Sequence, residues 1–356
     1  MPDILQTEMM GLYEVYKKPT LFLSNFCKRE ESDATSFEID ERILKNPYAV
    51  DTQRNRPGHT VDFSGYNTKE FTPPEYNDNA VITMDELDKK LAGRNKYDPA
   101  QYQGAILSLV NDRQAKIGDM YRRSEEKQFS DGLFTGQVKY FDGTTVDYKK
   151  HKDQSVVVSK SWNSAEGMAL TDLDKGCDVS INLGRNAGGE FVFISRGSCI
   201  GSLIKNKETQ EVAGAYKKID RVDISMPLEK SPGAKYHGMI STNNGHIVDL
   251  WSYDQTCDIP KGFNLAGEGS KLPYIPEGGG ILFPKNILFE MKYAAVYPGD
   301  AEGVEALNKI RCQQLPWAYV KRDKGCVWVE CGVKSRVLFM PTDFRSYVTY
   351  TNILGS

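Results

Sequence analysis

Two long polar runs, 43–53 and 59–84, set one part of the chain apart from the rest. A turn-forming segment at 54–58 joins them, and Val61 and Phe63 alternate with polar residues at the period of a strand. Prolines in both runs exclude central sheet positions, because proline has no N–H donor. A two-stranded arm with few apolar residues is marginal alone. The pattern therefore predicts either an extended loop that packs on a partner surface or an ordinary surface hairpin of an α+β domain.

The pattern changes to a helical period after Asp98, which is a suitable N-cap for a helix that starts at Pro99. The predicted helix, 99–130, would be about 48 Å long at 1.5 Å per residue, well above the average helix length. Its predicted stripe is partly polar, so we expect a half-buried helix. The stripe comprises Tyr102, Ile106, Leu109, Arg113, Ile117, Met120 and Ser124.

A hairpin is predicted directly after the helix, with strands at 138–140 and 144–148. A three-residue loop would place Gly143 in the left-handed region and Val138 opposite Val146. An acidic turn or short helix is predicted at 170–177. Further along, the pattern predicts a buried strand at 191–194, a short helix at 198–205, and strand segments at 219–226, 236–242, 246–251, 281–283, 287–297, 320, 327–329, 333–339 and 347–351.

Charge and composition limit the possible functions. The chain has 45 Lys and Arg residues against 48 Asp and Glu residues, and no basic block occurs. Binding of nucleic acid through neutralisation of its phosphates is therefore not expected. The most apolar stretch, 281–297, is interrupted by proline and charged residues and is not predicted to span a bilayer. The seven cysteines form no CxxC pair and are expected to be small buried residues in a reducing compartment. The sequence thus predicts a soluble protein made in the cytoplasm, without a signal peptide.

Candidate chemistry is sparse. The four histidines are too few and too scattered for a metal site, and neither a GxSxG elbow nor a phosphate-binding loop is present. A catalytic triad assembled by the fold stays open. Paired acids are interpreted as solvated helix or turn positions, and Arg122–Glu126 as an exposed i,i+4 pair. We therefore predict a protein that is not an enzyme and has no catalytic, cofactor or metal site. The paired acids are Asp85 and Glu86, Glu125 and Glu126, and Asp172 and Asp174.

Short segments spread over most of the chain resemble, in order and spacing, the major capsid protein of tailed bacteriophages, specifically the lambda-type protein E family. Residues 206–280 have no counterpart in this resemblance. The matching segments are Pro19-Thr20-Leu21-Phe22-Leu23 followed by Phe26, Glu70-Phe71-Thr72-Pro73 followed by Tyr76, Phe191-Val192-Phe193 ahead of Gly197, Leu315-Pro316-Trp317 and Ser335-Arg336-Val337-Leu338.

This resemblance implies an α+β subunit of the Hong Kong 97-like capsid fold, divided into five regions. They are an N-terminal arm at 1–42, an extended two-stranded loop at 43–91, a peripheral domain with the long spine helix and hairpin at 92–161, an axial domain at 162–312, and C-terminal strands returning to the peripheral domain at 313–356.

The same resemblance implies that the chain assembles, in the cytoplasm of a bacterial host, into the hexamers and pentamers of an icosahedral virion head that encloses DNA. A scaffold, a portal and a decoration protein are the candidate partners, with non-specific contact to packaged DNA and none to a membrane. No cross-link is predicted for Lys69, because no partner for it is identifiable. Residues expected at subunit contacts are Phe63, Phe71, Pro73 and Tyr76 on the loop, with Phe22 and Phe26 anchoring the arm.

Two other classes of protein remain as alternatives. A β-rich carbohydrate-active enzyme is suggested by the aromatic residues around Trp251 and Tyr253, and a pair of buried acids facing a cleft would support it. A tail-tube subunit would be another structural virion part, but such domains are mostly β, so the long helix argues against it by fold analogy.

Overall fold

The computed structural model describes residues 22–42, 66–90, 99–184, 189–215, 233–260, 268–286, 289–297, 317–322, 328–341 and 343–355. Its helices are α1 (Met84–Lys90), α2 (Pro99–Phe134), α3 (Ala169–Gly184), α4 (Gly197–Lys205) and α5 (Lys207–Ala215). Short 3-10 turns lie at Leu23–Phe26 and Lys152–Gln154. None of the described helices is both long and apolar enough to cross a membrane.

The strands complete an α+β architecture, as predicted. They are β1 (Cys27–Glu31), β2 (Phe37–Arg42), β3 (Tyr66–Phe71), β4 (Glu75–Thr83), β5 (Gln137–Lys139), β6 (Thr145–Asp147), β7 (Ser155–Val157), β8 (Glu190–Ser195), β9 (Ala234–Ser241), β10 (Ile247–Tyr253), β11 (Thr256–Asp258), β12 (Lys271–Pro273), β13 (Gly280–Pro284), β14 (Phe289–Tyr293), β15 (Trp317–Arg322), β16 (Trp328–Met340) and β17 (Val348–Thr351).

A six-stranded mixed sheet has the order β7-β17-β13-β8-β10-β9. The predicted strand at 191–194 is confirmed as β8, which pairs with β10 in parallel and with β13 in antiparallel orientation. Its apolar residues are consecutive because both faces of the sheet are covered. Phe191 and Phe193 pack against the side of α3 and α4, whereas Val192 and Ile194 face the core that contains Phe22.

A five-stranded sheet is built around β16, which pairs with β4 over nine residues from Trp328↔Thr83 to Arg336↔Glu75. The middle of α2 packs on this sheet through Ile117 and Tyr121, which contact Val333. The prediction of a two-stranded arm that continues to residue 84 was therefore wrong for 75–83. These residues alternate as an arm strand would, but their inward side chains pack against α2, which lies further along the chain, and Ile82 is buried there.

The long helix is confirmed and continues four residues beyond its predicted end. Its buried face differs from the predicted stripe, since Met120 is 45% exposed whereas Val110 and Gln114 are buried. Other segments pack on α2 from more than one side, so its buried face is broader than a single apolar stripe. The predicted exposed pair was also wrong, because Arg122 is buried and binds Glu125 at 2.7 Å. Asp98 lies outside the described residues.

The hairpin is confirmed in detail, with Val138 opposite Val146 and Gly143 at φ +85°. The element at 170–177 is instead the 16-residue helix α3, whose apolar face is buried on the six-stranded sheet. The short helix at 198–205 and the strands near 236–242, 246–251, 281–283 and 347–351 are confirmed. The segment 287–297 contains the shorter strand β14, and 333–339 is part of the longer β16. The segments 43–65 and 219–226 lie outside the described residues.

Candidate subunit-interface site

The base of the predicted loop is an antiparallel ladder between β2 and β3. Its register runs from Phe37↔Phe71 to Arg42↔Tyr66, so the ladder includes residues that the sequence assigned to the N-terminal arm. Phe37 and Phe71 are both buried, and the ring centroid of Phe71 lies 6.0 Å from that of Tyr148. The ladder is therefore anchored in the core at the end that lies away from 43–65.

After β3 the chain turns at Thr72 and Pro73 into β4, and two separate elements hold this elbow. The Tyr140 hydroxyl donates a hydrogen bond to the carbonyl of Thr72 at 2.9 Å. The Arg336 guanidinium donates to the carbonyl of Pro73 at 3.4 Å. Such bonds satisfy backbone acceptors that no strand partner reaches. The elbow is thus fixed from the hairpin on one side and from β16 on the other.

Tyr76 extends the elbow onto α2. Its ring centroid lies 5.5 Å from that of Tyr121, and its hydroxyl accepts a hydrogen bond from the Gln128 side chain at 2.7 Å. Burial raises the pKa of Tyr76 to about 12, so this phenol stays neutral at physiological pH. The start of β4 is consequently held against the long helix.

The residues 22–31, termed here the N-terminal segment, dock between the long helix and the six-stranded sheet. The ring of Phe22 lies 5.1 Å from Trp251 and 5.4 Å from Tyr253, and Phe26 lies 5.2 Å from Phe283. The segment then forms β1, which pairs in parallel with β14. Phe22 and Phe26 therefore hold the segment against the core of their own subunit, and their role at a subunit contact stays a prediction.

The glutamate pair, Glu125 and Glu126, holds the same segment from the helix side. Glu126 accepts hydrogen bonds from the backbone N–H groups of Leu23 at 3.1 Å and Ser24 at 2.6 Å, and from the Tyr253 hydroxyl at 3.3 Å. These N–H groups begin a 3-10 turn, where an acceptor is otherwise missing. Burial raises the pKa of Glu126 to about 7, although the bonds from Ser24, Leu23 and Tyr253 lower it.

Glu125 faces a different set of donors. It binds the Arg122 guanidinium at 2.7 Å, accepts a bond from the Tyr293 hydroxyl at 2.8 Å, and lies 3.8 Å from Arg29. The prediction that this pair is solvated was therefore wrong. Apart from Arg122, one turn earlier in α2, the donors lie roughly a hundred residues or more away along the chain, so the local pattern contains no signal for this site.

The other paired acids divide into two groups. Asp172 and Asp174 are buried, which also corrects their solvated interpretation: Asp172 accepts from the Trp162 indole at 3.1 Å, and Asp174 faces the backbone N–H of Asn244. Glu86, in contrast, is half-exposed and pairs with Arg113 at 2.8 Å. Glu125 and Glu126 face donors within the core and not a cleft, so they lack the arrangement expected of a glycosidase acid pair.

The predicted interface residues are mostly covered by their own chain. Phe22, Phe26, Phe71 and Pro73 are buried, Tyr76 is half-buried, and Phe63 lies outside the described residues. Their contact with a neighbouring subunit remains a prediction. Among the described residues, large exposed apolar side chains occur instead at Phe141, 75% exposed at the hairpin tip, and at Val157, 67% exposed in β7. An aromatic residue beside Asp142-Gly143 in a turn was the sequence signal for the first of these.

Known proteins share the fold described above. The sequence profile of the family described as phage major capsid protein E matches residues 12–352. A solved structure assigned as the capsid protein of a prophage of Escherichia coli CFT073 is 13% identical, with a TM-score of 0.65, covering 97% of this chain and 98% of that one. The mature capsid protein of bacteriophage PhiM1 is 8% identical, with a TM-score of 0.47, covering 94% and 88%. No curated protein matches the chain.

Proposed function

Because this chain belongs to the phage major capsid protein E family and is a subunit of a capsid shell, we propose that it self-assembles into the hexamers and pentamers of an icosahedral phage head that encloses DNA. Its fold is the Hong Kong 97-like capsid fold, and the virion is its place of action. The family match over 12–352 is the observation that carries the proposal. Assembly in the bacterial cytoplasm belongs to the proposal as well.

The geometry of the loop base supports assembly through a loop that extends onto a neighbouring subunit. The ladder is anchored at Phe37 and Phe71, and the turn after it is held by Tyr140 and Arg336, so the base of the proposed loop is fixed within the subunit. A two-stranded ribbon has too small a core to be stable alone and gains stability from a partner surface. We expect Phe63, on the loop that this ladder supports, to contact a neighbouring subunit. Phe71, Pro73 and Tyr76 would then set the loop's direction.

Partners follow from the same proposal. A scaffold, a portal and a decoration protein are candidate partners of the shell, and contact with DNA would be non-specific. The formal net charge of -3 suits an inner wall that faces packed DNA without gripping it. The family is one of structural proteins, and the lack of enzymatic activity stays a prediction.

Negative-stain electron microscopy of the purified, concentrated chain tests the proposal. We expect capsomer rings or closed shells, formed by the chain alone or on co-expression with the scaffold encoded by the same phage. Tubes of uniform diameter would favour the tail-tube alternative. Monomers that stay dispersed at high concentration and also with that scaffold would contradict self-assembly.

A further inference from the structure

One turn of α2 contacts three parts of the subunit through two buried acidic side chains. Glu126 is fully buried and bonds to the N-terminal segment at Leu23 and Ser24 and to the six-stranded sheet at Tyr253. Glu125 bonds to Tyr293 in β14. Burial penalises the charged form of a carboxyl group. When such a group bonds to several elements at once, the packing of those elements therefore depends on whether it is protonated.

Burial favours the neutral form of Glu126 and outweighs the donors from Leu23, Ser24 and Tyr253, which favour the carboxylate. The arginines at this site, Arg29 and Arg122, contact Glu125. The titratable groups that interact electrostatically with Glu126 include the Cys27 thiol from β1 and the phenols of Tyr253 and Tyr274 from the sheet side. None of these three is a cation, so they supply no opposite charge to the carboxylate.

We propose that Glu126 is a latch that fastens the N-terminal segment to the long helix, and that the latch loosens when its carboxyl group ionises. The neutral carboxyl group can stay buried without an opposite charge nearby, whereas the carboxylate gains hydration when the segment moves away. The latch acts within one subunit, so it goes beyond shell formation and does not depend on it.

The direction follows from linkage. The pKa of Glu126 is about 7 with the segment docked, against an ordinary value of 4.5 when the group is hydrated. The docked state binds the proton more tightly, so docking is strongest at pH values below the ordinary pKa. It weakens as the pH rises through the docked value and is weakest above it.

Hydrogen exchange followed by mass spectrometry on the full chain, kept in one assembly state, tests the latch. Protection factors of a peptide covering 22–31, corrected for the intrinsic pH dependence of exchange, are compared at about pH 5.5, 7 and 8.5. We expect protection to fall on the order of tenfold across this range in the natural chain. In Glu126→Gln, which keeps the size of the side chain but cannot ionise, the profile should be flat.

A matched control is Glu166→Gln, because Glu166 is a surface glutamate paired with Lys160, and this variant should keep the natural pH dependence. If Glu126→Gln does not fold, Tyr253→Phe decides the question: it removes a hydroxyl donor to Glu126 and should move the midpoint to higher pH. A flat profile in the natural chain, an unchanged slope in Glu126→Gln, or an unchanged midpoint in Tyr253→Phe would overturn the proposal.

Discussion

Phe71 packs against Tyr148 with 6.0 Å between their ring centroids, so the last residue of β3 is held by the residue that directly follows the second hairpin strand, β6. This contact joins the loop base to a part of the chain more than seventy residues away. The contact therefore distinguishes two roles that the sequence analysis treated as one. Some residues fix the base of the loop within its own subunit, and others lie further along the loop and are proposed to contact a neighbouring subunit.

Replacing Phe71 should therefore reduce the stability of the subunit itself. Removal of a buried aromatic ring leaves a cavity, and we expect Phe71→Ala to lower the free energy of unfolding by about 3 kcal/mol. Phe63→Ala is the matched comparison and should leave that free energy nearly unchanged while reducing assembly. Urea denaturation and electron microscopy of both variants measure the two effects. Equal losses of stability in both would contradict the division of roles.

The free energy of unfolding of the subunit should depend on pH through the titration of Glu126. Because its pKa is raised from 4.5 to about 7, the folded state binds its proton more tightly than the unfolded state. Its contribution is therefore complete below 4.5 and is lost as the pH rises through about 7, a difference of about 3 kcal/mol.

The measurement is the difference in free energy of unfolding between the natural chain and Glu126→Gln at several pH values. That difference should change across this window, opposite in direction to ordinary carboxylates. Glu166→Gln, on the surface, should show no such change. Parallel curves for the natural chain and Glu126→Gln would refute the assignment.

Lys150 closes the end of the long helix. Its ammonium donates to the carbonyl of Phe134 at 3.0 Å and to the hydroxyl of Thr349, and burial lowers its pKa from 10.5 to about 8. The folded state thus binds this proton less tightly than the unfolded state, and stability should rise with pH between about 8 and about 10.5. Lys150→Met should remove this rise, because methionine has no ionisable group. Thermal unfolding against pH checks this; an identical rise in the variant would show that another group causes it.

Two helical glycines should respond in opposite ways to alanine. A Cβ at Gly176 would collide with the hydroxyl of Tyr350, which bonds to the carbonyls of Asp172 and Leu173, so we expect Gly176→Ala to destabilise the chain by roughly 2 kcal/mol. Gly104 is exposed in α2, and apart from its chain neighbours and the adjacent helix backbone no atom lies within 4 Å of the position that an added methyl group would take, so Gly104→Ala should stabilise the chain by about 0.5 kcal/mol or more. Melting temperatures of the two variants test this, and a shift of the same sign in both would contradict the packing described.

Local pattern was sufficient for the elements whose shape depends on near neighbours. Proline at the first position and a helical period predicted α2, a glycine at a left-handed position predicted the hairpin register, and a run of consecutive apolar residues predicted β8. The family resemblance likewise depended on short segments in order along the chain. It led to the correct fold because order is a property of sequence.

Only the tertiary structure decided which polar groups are buried and where the loop begins. Glu126 meets Leu23 and Tyr253 across 103 and 127 residues, and β4 meets β16 across about 250 residues, from Thr83↔Trp328 to Glu75↔Arg336. A glutamate that is solvated and one that is covered by a distant segment stand in the same local helical context. The physical reason is that burial and hydrogen bonding depend on the neighbours that folding brings together, whereas periodicity records only the neighbours along the chain.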